Sequence, residues 1–237
     1  CLSSLTLGNL SVTGLTIAGD NTLVIAKIDS FGITQAIEHI ADWCYYGKIA
    51  VDNQNIIISA TIDGGYDSPL NNNITTPFSW SGYSFIQNLD LDLNHNWTLY
   101  INEDIGIEDI FILDSFIYVL ASPSNGDVIL DNGVSYIDTI DISNFSKEYV
   151  LIKLNLNGNM VYYDEFSYST VTSFSNKLIA SNGDSIFNID KTNFNVLDTY
   201  IYNGMSNLYG QNSIQTNGDK IILTVGSEML IVDDNFN

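Results

Sequence analysis

The stretch Thr22 to Gly32, TLVIAKIDSFG, returns four more times in altered form, as SFIQNLDLDLN, VLIKLNLNGN, SIFNIDKTNFN and EMLIVDDNFN. Self-similarity of this kind implies an array of like units, because each unit buries its apolar face only by stacking on a neighbour. In every copy apolar residues nearly alternate, and an Asp or Asn with a Gly/Asn-rich turn follows. That is the pattern of a half-buried strand entering a tight hairpin. The Asp/Asn positions align as Asp29, Asp90, Asn155, Asp190 and Asp233. After the turn comes a second run, ITQAIEHIADWCYYG, WTLYINEDIG, MVYYDEFSYS or VLDTYIYNG, whose aromatic and β-branched residues suit a pleated strand. The fifth copy lacks this run. Only the first of these runs has helical spacing, through Ile33, Ile37, Ile40 and Ala41; its place in the repeat makes it a strand, and the alternative is a short helix or single helical turn, since AIEHIADW has good helix formers.

A short strand, a turn and another strand precede each motif, so each unit has four strands. Five units in 237 residues give about 47 residues each, the size of a four-stranded propeller blade. The expected fold is therefore all-β: a single domain over residues 1–237, a β-propeller of about five four-stranded antiparallel blades. One blade is incomplete, since the chain starts partway through a unit and ends on the fifth copy. The alternative is a segment of a longer extracellular protein that completes the ring. Residues 68–80 (SPLNNNITTPFSW) and 125–146 are insertions, the second with the pattern of an extra hairpin. Insertions in repeat proteins gather on one face and often bind there.

Twenty-eight acidic residues against seven basic ones leave a net charge of -21, which repels nucleic acid and anionic membranes. No apolar run is long enough to span a bilayer. N-glycosylation triplets at Asn9, Asn73, Asn96 and Asn144 suit a secreted or cell-surface glycoprotein. Cys1 and Cys44 permit one disulfide in an oxidising compartment. The other reading makes Cys44, between Trp43 and Tyr45, a buried thiol, and Cys1 an acylated residue or a boundary.

Chemistry is harder to find. Asp90, Asp92 and Asn94 place oxygen ligands at alternate positions, as a calcium loop does, but His95 stands where an EF-hand needs Gly and Ile101 where it needs Glu. Asp233 and Asp234 are a second acidic candidate for calcium, and no other cofactor is expected. Two histidines, His39 and His95, do not make a zinc site. Carboxylate pairs at Asp63/Asp67, Glu103/Asp104, Glu108/Asp109 and Asp164/Glu165 have the residue types of glycosidase acid–base chemistry, yet acidic composition supplies such pairs freely.

TLVIAKIDSFG followed by IAVDNQNIIISATIDGG resembles the SBBP repeat of microbial surface proteins, with its strand like FVAKLDxxGN, a Trp-bearing strand, and IAVDxxGNIYVTG. The resemblance covers most of the chain and departs from the pattern in lacking turn glycines at Asn94 and Asn193. It implies a secreted or surface-anchored, non-enzymatic propeller that adheres, binds or scaffolds, and it carries no catalytic residues over. Extracellular protein or glycan is then the expected partner, met through loops, Tyr200 to Tyr209 among them, and blade edges. The alternatives are self-association into a filament or surface layer through open strand edges, and a carbohydrate-active enzyme.

Overall fold

The structure is a computed structural model that describes residues 2–16, 22–42, 44–62, 83–102, 105–123, 127–132, 136–182, 185–201, 212–217, 220–225 and 228–233. These residues form strands and turns, with no helix among them. In chain order the strands are β1 (Leu2–Leu7), β2 (Leu10–Thr16), β3 (Thr22–Ile28), β4 (Thr34–Asp42), β5 (Cys44–Val51), β6 (Asn55–Ile62), β7 (Tyr83–Asp90), β8 (His95–Ile101), β9 (Ile105–Leu113), β10 (Phe116–Pro123) and β11 (Val128–Asp131). They continue with β12 (Tyr136–Ile140), β13 (Tyr149–Asn155), β14 (Met160–Phe166), β15 (Thr170–Phe174), β16 (Lys177–Ser181), β17 (Ser185–Ile189), β18 (Val196–Ile201), β19 (Asn212–Asn217), β20 (Lys220–Val225) and β21 (Glu228–Asp233). The ITQAIEHIAD run is strand β4, as its place in the repeat requires.

The described strands pair antiparallel, mostly with their neighbours in the chain, the exceptions being β8 with β11 and β10 with β13. β1 pairs with β2 and β3 with β4; β9, β10, β13 and β14 make one four-stranded sheet, β15 to β18 another, and β19 to β21 a three-stranded one. β5 to β8 form a further meander, widened to six strands by β11 and β12. Those two are the extra hairpin of residues 125–146. Leu130 stands opposite Ile101 and Asp131 opposite Tyr100, so β11 lies along the outer edge of β8. Asn102 fastens the join: its side-chain amide donates to the Asp127 carbonyl at 2.9 Å, and its Oδ1 accepts from the Ile129 N–H at 2.8 Å.

The strands collect into two compact units, residues 1–106 with 127–140 and residues 107–126 with 141–237. In the first, Leu23, Ile25 and Ala36 of the β3–β4 hairpin pack on Ile56, Ile58, Ala60, Phe85 and Tyr100. In the second, Phe111, Tyr118, Leu120 and Leu151 pack with Val171, Leu178, Phe187 and Phe194. In both, sheets of successive repeats stack face to face.

One expectation is corrected. The alternation predicted strands with one wet face, yet β7 is buried at every position from Tyr83 to Leu89, and β6 from Ile56 to Ala60. The polar residues that looked solvent-facing, Ser59, Ser84, Gln87 and Asn88, are at most 2% exposed. Ser84, Asn88 and the Gln87 amide find lateral partners, whereas Ser59 Oγ and Gln87 Oε1 have none among the described residues. Thr61 and Ser84 stand opposite one another and share a hydrogen bond at 2.9 Å, and Ser84 donates to the Ile105 carbonyl. Asn88 bridges the Asn55 and Asn96 side chains at 3.2 Å each. A strand with a laterally paired polar column is buried on both faces without leaving most of its polar atoms stranded.

Candidate functional site

Four of the aligned Asp/Asn residues, Asp29, Asp90, Asn155 and Asp190, do one local job, and the turn after Asp233 lies outside the described residues. At Asp29 the carboxylate Oδ1 accepts from the N–H groups of Phe31 and Ile33, both at 2.9 Å. Asp90 repeats this with Asp92 and Asn94 at 2.8 and 2.9 Å, and Asn155 with Asn157 and Asn159 at 2.9 and 3.0 Å. Asp190, in a turn one residue longer, holds Thr192 and Asn193. Main-chain bonds close each loop, for example Asp90 N–H to Asn94 O at 2.9 Å. These side chains mimic a backbone turn, the role for which Asp and Asn are suited. Because the acceptor must be charged or polarised, the Asn94 amide and N–H hold the Asp90 carboxyl below its usual range, and the Thr192 N–H does the same for Asp190.

Each turn contains one residue with left-handed backbone. It is Gly32 and Gly158 (φ 81° in both) in two copies, but Leu93 (φ 67°) and Phe194 (φ 56°) in the others. The expected glycine positions, Asn94 and Asn193, are therefore off by one: the residue that replaces glycine is the apolar one beside each Asn. A side chain in this region costs about 1 kcal/mol or more, and burial offsets it. Leu93 and Phe194 are each 7% exposed, and Phe194 meets the Tyr162 ring edge-on with centroids 5.0 Å apart.

Turns of the two kinds are joined in pairs by a lysine. Two residues before Asp29 stands Lys27, whose ammonium donates to the Leu91 carbonyl at 2.9 Å and to Asp92 Oδ1 at 3.3 Å. Two residues before Asn155 stands Lys153, which donates to the Lys191 carbonyl at 3.0 Å. Leu91 and Lys191 are the same position of the repeat, one residue after the Asp. So a glycine-type turn sends a lysine to a plugged-type turn, once in each unit. Lys153 lies 4.2 Å from the Phe116 ring centroid and 5.6 Å from that of Tyr118. Burial lowers its pKa, Lys191 adds to that, and Asp114 and Asp190 oppose it. Lys191 in turn pairs with Asp114 and donates to the Asn176 carbonyl at 3.0 Å. Asp114–Ser115 and Ser175–Asn176, both with positive φ throughout, are the two-residue hairpin turns that bring these groups together.

The calcium candidates fare as follows. Both Asp90 oxygens already accept N–H donors, Oδ2 taking the Asn94 amide at 2.8 Å, and Asp92 faces Lys27. Asp233 ends β21, and Asp234 lies outside the described residues. Among the described residues no three His, Cys, Asp or Glu side chains gather as metal ligands. Glu108/Asp109 and Asp164/Glu165 are adjacent residues of β9 and β14, which project to opposite faces of a strand. Glu108 accepts from Ser122 and Glu165 from Ser146, while Tyr162 donates to Asp164. Asp63/Asp67 and Glu103/Asp104 lie outside the described residues. Of the glycosylation triplets, Asn9, Asn96 and Asn144 are exposed, the first at the tip of the β1–β2 hairpin, and Asn73 lies outside the described residues with the rest of 68–80. Cys44 is 6% exposed in the core of the first unit, and Cys1 lies outside the described residues. The Tyr200 to Tyr209 loop is described only to Ile201.

Exposed apolar side chains gather in a few places. Phe31 (87% exposed), Ile33 and Ile28 crown the β3–β4 hairpin, and Tyr46 (77%), Ile49 and Val51 line the outer strand β5. β18 ends its sheet with Val196, Leu197 and Ile201 exposed. Sequence reasoning passed over the lysine joint and this edge; Lys27 and Lys153, at the same offset from Asp29 and Asn155, were its readable sign.

No protein-family model matches the chain, and no curated protein matches it. Among solved structures it is similar to BamB from Moraxella catarrhalis, at 12% identity and a TM-score of 0.40, with 96% of this chain and 67% of that chain covered. At that score the likeness fixes neither fold nor function.

Proposed function

We propose that the chain is a β-propeller module, secreted or displayed at a microbial cell surface, that binds protein or glycan partners and has no catalytic role. One observation carries the reading: within each unit antiparallel sheets pack on one another through buried apolar residues, β6 and β7 are buried on both faces and a lysine joins one turn to another, while exposed apolar side chains collect on hairpin tips and outer strands. Blades stacked in this way are the building plan of a propeller, and the SBBP resemblance agrees with it. The described carboxylates put forward for chemistry are held in turns or spread over opposite strand faces, which favours binding over glycan hydrolysis.

Small-angle scattering and negative-stain images of the purified chain test the architecture, with a disc-like particle expected and an elongated one counting against it. A glycan array and a panel of extracellular proteins test binding, with loss of signal expected on Phe31→Ser. The second reading, a subunit of a filament or surface layer, gains from the exposed apolar side chains on strands that end their sheets among the described residues. Polymers at micromolar concentration in size-exclusion chromatography would replace the module reading with it. Export is tested by expression through a secretory pathway and a glycosidase-sensitive mass shift at Asn9, Asn96 or Asn144.

A further inference from the structure

The strands that carry the repeated motif, β3, β7, β13, β17 and β21, align position by position when counted back from Asp29, Asp90, Asn155, Asp190 and Asp233. Side chains alternate along a strand, so odd and even offsets lie on opposite faces. In the first unit Leu23 and Ile25, at even offsets of β3, pack with Phe85 and Leu89, at odd offsets of β7. In the second, Leu151, at an even offset of β13, packs with Phe187 and Ile189, at odd offsets of β17. In both cores the even face of one repeat is covered by the odd face of the next.

Among the described residues two faces lack this cover. One residue before the turn, Leu89, Leu154, Ile189 and Val232 are at most 2% exposed, but Ile28 of β3 is 55% exposed, and Val24 and Ala26 on its face are half-buried. Four residues before the turn, Ile86, Leu151 and Ile186 are at most 1% exposed, but Met229 of β21 is 65% exposed, with Ile231 on its face at 54%. The open face of the first repeat is thus an odd one, and that of the fifth an even one. Repeat arrays stay soluble by giving such faces polar side chains, and here both are apolar.

We propose that the even face of β21 is a docking surface for a second copy of this chain, which seats the odd face of its own β3 there. Continuity of the packing identifies the occupant: an odd motif face is what covers an even one in both cores, and a second copy brings an open odd face. The two faces differ, so the contact is head-to-tail. A net charge of -21 on each copy opposes approach, whereas the residues that meet, Met229 and Ile231 with Val24, Ala26 and Ile28, are uncharged. Association therefore tightens as salt screens the repulsion. The proposal goes beyond the binding-module reading and does not rest on it.

Sedimentation velocity on the full chain is the test. Self-association is expected, and it is expected to tighten about threefold or more between about 0.05 and about 0.5 M salt. Met229→Lys/Ile231→Lys and Ile28→Lys change only exposed side chains, and each alone is expected to weaken association about tenfold or more. Mixing the two variants pairs the intact β21 face of one with the intact β3 face of the other, so a one-to-one pair returns and nothing larger forms. Mixing would not rescue a variant that had simply failed to fold, and circular dichroism of each variant checks folding separately. A wild-type chain that stays monomeric at about 100 µM, association that weakens with salt, or a mixture of folded variants that forms no pair overturns the proposal. Ile28→Lys associating like the wild type overturns it too, in favour of the β21 face pairing with itself. Open polymers would replace the module reading and leave this contact standing, and silence on the glycan array and protein panel would strike that reading alone, so the two failures are distinguishable.

Discussion

The lysine joint occurs twice in the molecule, each time on the equivalent carbonyl of the partner turn, and in different surroundings. In the first unit Lys27 is 44% exposed and faces an Asp92 that is 81% exposed; in the second Lys153 lies over Phe116 and Tyr118 with a lowered pKa. The plugs differ in parallel, Leu93 in one and Phe194, against two tyrosines, in the other. Turn chemistry sets the geometry of the joint, and its surroundings set how much it contributes. A wet ion pair contributes little because water solvates both charges, whereas an ammonium over aromatic rings gains from the ring quadrupole.

The largest contrast is expected at the plugs. Phe194→Gly should lower stability by about 3 kcal/mol and Leu93→Gly by about 2 kcal/mol, the lost burial outweighing about 1 kcal/mol of relieved left-handed strain. Denaturant unfolding measures both, and a stabilising Leu93→Gly would show strain to be the greater term. Next comes Lys153→Ala, at about 1–2 kcal/mol, with Lys153→Met recovering part of it through apolar contact. Lys27→Ala should cost under about 1 kcal/mol, and that difference should shrink in molar salt; equal costs for the two lysines would erase the contrast.

A smaller effect separates the turns by pH. Asp90 and Asp190 have pKa values lowered in the folded state, so the unfolded chain binds more protons in acid. Their contribution is complete above the unfolded value of 3.8 and is lost as pH falls through the folded values. Asn155 clamps its turn without titrating. Asp90→Asn and Asp190→Asn should therefore fold normally and each flatten the acid limb of the melting curve; an unchanged limb would assign acid sensitivity elsewhere. Calcium is expected to act least. With Asp90 occupied by N–H donors, millimolar calcium or a chelator should move the melting midpoint by about a degree or less, and a shift of several degrees would reinstate the loop as a cation site.

The repeat, the all-β character and the turn clamps at Asp29, Asp90, Asn155 and Asp190 were readable because Asp, Asn and Gly announce turns locally, whereas the sheets of two to six strands were not. The cation-like string at Asp90 reads two ways for the same reason: alternating oxygen donors suit both a metal loop and a clamped hairpin, and the N–H groups here point at the Asp90 carboxylate. Burial on the second face was hidden because Ser84, Gln87 and Asn88 look like solvent-facing residues until their lateral partners are known. The plugs were missed since Leu and Phe are poor signals for left-handed backbone, and burial far along the chain sustains them. The 125–146 hairpin was legible as a hairpin, but its docking on β8 was not. Pairing between segments distant in sequence leaves no local trace.

That docking bears on how the chain is made. When synthesis has reached Gly106, β5 to β8 are all present, yet the strand that covers β8 has not been built and arrives only after β9 and β10. Until residues 127–140 have emerged from the ribosome and paired, a chain whose β5 to β8 are already out carries an open apolar edge at Leu99 to Ile101, the kind of surface that seeds misassembly. Completion of the first unit therefore waits on residues 127–140, which emerge after β9 and β10.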